Sequence, residues 1–376
     1  MRQQIAFTET NSEQTSKLAR RFAALPEEPF AQRCLKRFSS DASQWPLARA
    51  LLATVAAAAL ALGLTGCGPD TSPPKAATGE RVYRIAFASF GPDAAADNAI
   101  KGYLDGLRSE QIQEGRNLEV TRKHAFGEIS QLPQMMQSLD TQGLDLIVPM
   151  TTPGLAAAFG AVKQTPMVFV YTYDPLGAGA GKSFDDHLPR VTGVASFPPV
   201  EETMKLILQL VPGAKKIGTL YNASEANSVK AVGVARSVLK DRGVTLEEVT
   251  IGSTGDVLLG AQALLARQPD AVWITGDNTA LQALEGIIKP TTSAKVPLIL
   301  NDPEFVDRGA LLGVGISWQD SGMAAGKLAA RVLRGESPAG MPIVALAKRR
   351  VVLNHDVAKK LGVVFPPSLI EEAKTP

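Results

Sequence analysis

The stretch LDLIVPMTTP (Leu144–Pro153) has a counterpart further along the chain in DAVWITGDNT (Asp270–Thr279). Each is a short apolar run, rich in Val and Ile, that ends in small polar residues where a helix can begin. A second pair follows in the same order, PMVFVYTYDP (Pro166–Pro175) against PLILNDP (Pro297–Pro303). LLGVGISW (Leu311–Trp318) likewise takes the place that VTGVASF (Val191–Phe197) holds in the first half. Runs of this length separated by helical stretches indicate parallel strands covered on both faces. A positional repeat of such units predicts an α/β protein of two like lobes, joined by more than one crossing, with a cleft between them.

Working outward, the first half reads as strand Tyr83–Phe90, helix Ala94–Ser109, strand Asn117–Ala125, helix Ile129–Thr141, strand Leu144–Met150, a helix around Leu155–Lys163, and strands Met167–Thr172 and Val191–Phe197. The second half repeats the series with IGTLYN, a helix over Glu225–Asp241, strand Val244–Ile251, a helix near Asp256–Arg267, AVWITGD, a helix from Asn278, and PLILND. A chain of 376 residues suits two lobes of this kind, each of ~100–150 residues. The formal net charge of +2 points neither to nucleic acid nor to an anionic membrane surface.

The N-terminal region carries a separate message. LLATVAAAALALGLTGC (Leu51–Cys67) is preceded by Arg49 and ends in small residues before a cysteine. Its apolar part is short for a spanning helix of ~20 residues, and the pattern is that of a secretory signal. Leu64-Thr65-Gly66-Cys67 looks like a bacterial lipobox, which would make Cys67 the lipid-bearing first residue of the mature chain. The Pro-, Ser- and Thr-rich GPDTSPPKAATGE that follows reads as a tether. Cys34, the other cysteine, lies upstream of the cleavage point, so no disulfide framework is expected. Met1–Ala50 is longer than the region that precedes a signal's apolar core, and a start at Leu35 is expected instead of Met1. The expected division is therefore 1–66 extension and signal peptide, 67–81 linker, 82–197 lobe 1, 198–318 lobe 2, and 319–376 a hinge-crossing helix and a C-terminal segment packing back on the lobes.

Ligands of open parallel sheets bind beyond the carboxyl ends of the strands, where helix N-termini present free N–H groups. The strand ends supply the candidate ligand-binding residues: Phe90, Thr151, Thr152, Thr172, Tyr173, Asp174, Asn222, Ser224, Glu225, Asn227, Asp277, Asn278, Thr279 and Asp302. Helix capping explains any one of these short polar side chains. The carboxylates Asp174, Asp277 and Asp302 exceed what caps require. Free amides together with carboxylates suit a zwitterion, with Asp277 and Asp174 taking the cationic end and amides after Thr151 and Asn222 the anionic end.

Catalytic chemistry finds no support. His124, His187 and His355 lack metal-ligand spacing, and Asp185-Asp186-His187 is most simply a solvated loop. GAGAGKS (Gly177–Ser183) has Leu176 where a phosphate loop needs its first Gly. No enzyme, metal or cofactor is expected, and no nucleic-acid partner.

VYTYDPLGAG, VTGV, KKIGTLYNASEANS, GDNT and RGAL, in this order, resemble the tryptophan/tyrosine-type substrate-binding proteins of ABC importers. The likeness runs from about Tyr83 to Ile343. It implies a type I periplasmic-binding-protein fold of two Rossmann-like lobes. It also implies a monomer on the periplasmic side of the envelope, delivering an amino acid (aromatic ones included) or a related small solute to a permease and ATPase complex. A receptor lipoprotein feeding a membrane sensor kinase is the alternative. Four positions depart from the family pattern, all at the expected cleft: SFGPDAAAD lacks a His-Pro, Tyr173 stands where Thr commonly precedes Asp-Pro, Ala223 where Pro often follows Asn, and Gly276 where Thr often precedes Asp-Asn.

Overall fold

The structure, a computed structural model, describes residues 81–346 and 348–374. The expected signal, the alternative start at Leu35, Cys67 and all of the tether but Arg81 lie outside the described residues.

Among the described residues, twelve strands form two sheets of six. The first holds β1 (Tyr83–Ser89), β2 (Leu118–His124), β3 (Leu146–Pro149), β4 (Met167–Thr172), β5 (Val191–Ala195) and β11 (Val344–Ala345), in the order β11-β5-β4-β3-β1-β2. The second holds β6 (Lys216–Asn222), β7 (Thr245–Ile251), β8 (Ala271–Ile274), β9 (Leu298–Leu300), β10 (Leu312–Ile316) and β12 (Arg349–Leu353), in the order β12-β10-β9-β8-β6-β7. The two orders correspond strand for strand, as the repeat in the sequence requires, and the fold is the expected two-lobed α/β arrangement. One correction concerns direction: β12 runs antiparallel to β10, pairing Leu312 with Leu353 and Ile316 with Arg349, whereas all other named pairs are parallel. β12 enters the second sheet from β11 of the first, so it is not the return strand of a βαβ unit and no crossover fixes it parallel to β10.

In the first lobe, α1 (Ala94–Ser109), α2 (Leu132–Asp140) and α3 (Thr152–Ala161) cover the sheet. The second has α4 (Val200–Leu210), α5 (Ala226–Lys240), α6 (Val257–Leu265), α7 (Asn278–Gln282) and α8 (Glu285–Ala294). Helix α9 (Trp318–Leu333) follows β10 of the second sheet but packs on α1, β4 and β5 of the first. Its seam with α1 is built of small residues, and a Cβ on Gly326 would stand 2.1 Å from the Tyr103 carbonyl oxygen. Two short C-terminal helices, α10 (His355–Leu361) and α11 (Pro367–Glu372), return to the second lobe, where Ala358 and Leu369 join its outer core. The chain thus passes between lobes after β5, after β10 and after β11.

Each sheet has an outer apolar layer of its own, Ala86, Ile147 and Phe169 in one lobe and Ile217, Trp273 and Val314 in the other. The inner layers merge. A single buried cluster runs from Phe87 and Val148 through Tyr171, Tyr173 and Trp318 to Ile274 and Leu300. Contact of that kind means the lobes are shut against one another.

Candidate functional site

The C-terminal ends of both sheets meet at a polar cavity. Thr151, Thr152, Tyr171 and Tyr173 line it from the first lobe; Asn227, Gly276, Asn278 and Asp302 line it from the second, and Trp318 stands at the crossing. What remains open is small, about 10 Å³, which is room for about one water.

The first-lobe wall is strained. Thr151, the N-cap of α3, has φ 68° and ψ 157°, a region close to glycine-only. Tyr171, inside β4, has φ 58°, and the register of β4 against β5 slips between Phe169 and Thr172. The two distortions are joined, because Thr151 N donates to Tyr171 O at 3.0 Å. Together they aim the start of α3 and the Tyr171 ring at the cavity. The Tyr171 hydroxyl donates to Asp93 Oδ1 at 3.3 Å, and its ring meets Trp318 edge-on at 4.4 Å between centroids. Burial pushes the Asp93 carboxyl up to about 6.

The second-lobe wall is a closed polar network. Asp277 accepts from Ala280 N at 2.8 Å as the cap of α7, from Asn222 N at 2.7 Å and from Ser228 Oγ at 2.7 Å. The side chain of Glu225, fully buried, does not cap its own helix and reaches α7 instead. It accepts from Asn278 N and Nδ2 at 3.0 and 2.6 Å and from Thr279 N and Oγ1 at 3.0 and 2.7 Å. A carboxylate at a helix N-terminus gains from the free N–H groups there. Burial, and then the nearby Glu225 charge, lift Asp277 to about 8. One atom of the network has no partner: the Asn227 amide donates to Gly276 O at 2.9 Å, while its carbonyl Oδ1 is buried and unpaired.

Asp302 faces the cavity from the end of β9, with Oδ1 accepting from Trp318 Nε1 at 3.0 Å. Burial and the neighbouring Glu304 raise its carboxyl well above the usual range. Glu304 itself is tied to Arg350 at 2.6 Å.

Of the residues expected from sequence, Thr151, Thr152, Tyr173, Asn227, Asn278 and Asp302 come together at the cavity. The structure places the others elsewhere. Phe90 packs with Ala125 and Leu132. The Thr172 hydroxyl turns back to Val170 O. The Asn222 amide bonds Thr279, and the exposed Ser224 bonds Asn222. The polar atoms of Glu225, Asp277 and Thr279 are consumed inside the second lobe, so Asp277 is not offered to a cation in the cleft. Asp174 forms an ion pair with Lys230 of α5 at 3.0 Å, beside the cavity rather than in it. Tyr171 and Trp318 went unnoticed in the sequence. Trp318 opens α9 after β10 much as Thr152 opens α3 after β3, and that correspondence is the signal that could have found it.

Residues 84–375 match the family model described as ABC transporter substrate binding protein. The chain belongs to the ABC transporter substrate-binding family. As members of a family of extracytoplasmic solute-binding proteins, such chains are not enzymes. It is 27% identical over 305 residues to a tyrosine-binding protein from Clostridioides difficile, covering 80% of this chain and 88% of that one. Among solved structures it is similar to an ABC domain from Streptococcus pneumoniae in complex with L-Trp, at 29% identity and TM-score 0.74, over 78% of this chain and 98% of that one. These relatives bear out the resemblance to the tryptophan/tyrosine type. A substrate-binding protein with adhesive properties from Clostridium difficile, solved ligand-free and open, matches at 27% identity but TM-score 0.58, over 76% and 97% of the two chains. The better match to the complex agrees with the shut lobes seen here. Among the described residues no cluster of His, Cys, Asp or Glu could hold a metal ion, and no helix is long and apolar enough to cross a membrane.

Proposed function

We propose that this substrate-binding protein is tethered outside the cytoplasm by a lipid on Cys67 and hands a small zwitterionic solute, an amino acid, to an ABC importer. The observation that supports the ligand class is the cavity itself. A helix N-terminus, that of α3 at Thr151–Thr152, faces a buried carboxyl group, Asp302, and an unpaired acceptor, Asn227 Oδ1. The helix start suits a carboxylate. Asn227 Oδ1 lacks a donor and an ammonium would supply one, while its charge would draw Asp302 into the ionised form. This assignment moves the cationic subsite from Asp277 and Asp174 to Asp302.

Binding an ammonium beside Asp302 favours its ionised form, and a charge-assisted hydrogen bond in such a site is worth about 1.5–3 kcal/mol. Asp302→Asn and Asn227→Ala are therefore expected to weaken binding of the cognate amino acid by roughly 10- to 150-fold. Calorimetry against a panel of amino acids measures this, and unchanged affinity in both variants would refute the site. For the tether, Cys67→Ser should move the protein to the soluble fraction or leave it uncleaved; normal membrane attachment of that variant would sink the lipid anchor.

A further inference from the structure

The relatives named for tyrosine or solved with L-Trp handle bulky ligands, yet in this chain the space between the lobes is taken by one of its own rings. Tyr173, at the end of β4, is buried and lies nearly parallel to the Trp318 indole, with centroids 5.5 Å apart and 14° between planes. Its hydroxyl crosses to the second lobe and donates to Asn301 O at 3.1 Å. Gly276 of the second lobe lies against the hydroxyl end of the ring. A Cβ built on that glycine would stand 2.2 Å from Tyr173 Cε2 and 2.5 Å from its hydroxyl oxygen. No residue but glycine at 276 leaves room for the ring where it sits. Tyr173 and Gly276 are thus a matched pair, large facing none, at two of the positions that depart from the family pattern.

Resting on the amino-acid reading above, we propose that Tyr173 is a resident side chain occupying the aromatic-sized space between Trp318 and Gly276, so that this protein selects a small, non-aromatic amino acid. The ring is fixed in three ways: it is stacked on an indole, bonded through its hydroxyl and seated on a glycine. The space left beside it is bounded by polar groups, Thr151, Thr152, Asn227 and Asp302, which match the charged end common to all amino acids. The closed cavity holds about one water, so the lobes must part for even a small zwitterion to enter. A bulky side chain would require Tyr173 to leave its stack, break its bond to Asn301 and empty the seat at Gly276.

The test is calorimetry on the purified protein, with glycine, L-alanine and L-serine on one side and L-Trp, L-Tyr and L-Phe on the other. The wild type is expected to bind at least one of the small set and to bind L-Trp at least about 100-fold more weakly. Tyr173→Ala and the less drastic Tyr173→Thr, each checked for folding by circular dichroism, should gain at least about 10-fold in L-Trp affinity. Tyr173→Phe, which keeps the bulk and loses only the hydroxyl, should still exclude L-Trp. Tight L-Trp binding by the wild type overturns the proposal without any variant and leaves the amino-acid reading standing. So does a folded Tyr173→Ala that gains nothing. If no protein in the series binds any amino acid, the amino-acid reading fails and the inference falls with it.

Discussion

The two walls of the cleft use the same residue types for different ends. In the second lobe Asn222, Glu225, Ser228, Asp277 and Thr279 bond one another and the first turn of α7. In the first lobe Thr151 and Tyr171 hold a strained backbone instead, and the Tyr173 hydroxyl bonds across to the second lobe. Short polar side chains after a strand therefore signal two things that look alike in sequence. One is the fastening of helix starts, which consumes hydrogen-bonding capacity. The other is a ligand contact, which keeps capacity free, as Asn227 Oδ1 does within the same second lobe.

The sharpest way to break this contrast is to remove Glu225. Glu225→Ala leaves four donors of Asn278 and Thr279 without their acceptor in a buried site. Each unsatisfied group costs about 1–3 kcal/mol, so a loss of at least about 3 kcal/mol is expected as a lower midpoint in urea unfolding. A variant as stable as the wild type would show that the network is not what fastens α7.

Raising the pH attacks the same network and is expected to have the next largest effect. Asp277 in the fold titrates at about 8, and an unfolded aspartate near 3.9. Between those values the folded chain binds more protons than the unfolded one, so stability falls as pH rises. Asp93, at about 6, and Asp302, also raised, act in the same direction. Melting temperature should decline from about pH 5 to pH 8, and ligand that places an ammonium on Asp302 should flatten the decline. A melting temperature that climbs across this range would contradict the burial of these carboxyls in protonated form.

On the first wall the strain itself is testable. A φ and ψ like those of Thr151 cost about 1–3 kcal/mol in a non-glycine residue. Thr151→Gly removes that cost and loses a cap, for which glycine is only a few tenths of a kcal/mol worse, along with some gain in unfolded-state freedom. The net expectation is about 1 kcal/mol more stability by denaturation, with weaker ligand binding because the amides of α3 are held less firmly. Lower stability would mean the threonine is at ease there.

Most of the fold was legible in the sequence, because apolar runs such as LDLIVPM and AVWIT show a strand's length and burial directly. Helix α1 is found over the very residues its pattern gives, Ala94–Ser109. The small pieces that complete the lobes were not legible: β11 is two exposed residues, and β12 is a strand only because β10 offers it an edge. At the site, Thr151, Asn227 and Asp302 could be placed by their position after strands. Which carboxylate stays free could not, since that depends on Glu225 reaching across to α7 and on Asp277 taking the Asn222 amide, partners remote in sequence. The filled cleft was half visible, as the unusual Tyr173 and Gly276, but their contact belongs to the closed lobes.

The smallest effect concerns what holds the lobes shut. Lys230, on α5 of the second lobe, places Nζ 3.0 Å from Asp174 Oδ1 and 4.9 Å from the centre of the Phe197 ring. Asp174 ends β4 of the first lobe, so this ion pair exists only when the lobes meet. The lysine side chain is 47% exposed and the aspartate 9%, which sets the pair at about 1 kcal/mol or less after solvent screening. Removing it changes the ratio of closed to open molecules by up to roughly 5-fold, and ligand affinity drops by up to the same factor when closure accompanies binding. Because neither lobe's own core is touched, Lys230→Ala should leave the unfolding midpoint within about 0.5 kcal/mol of wild type. Small-angle scattering of the unliganded protein should show a larger radius of gyration in the variant, and calorimetry a modestly weaker ligand. Unchanged scattering with a lowered unfolding midpoint would mean that Lys230 supports the second lobe itself and that Tyr173 on Gly276 is the main contact holding the cleft closed.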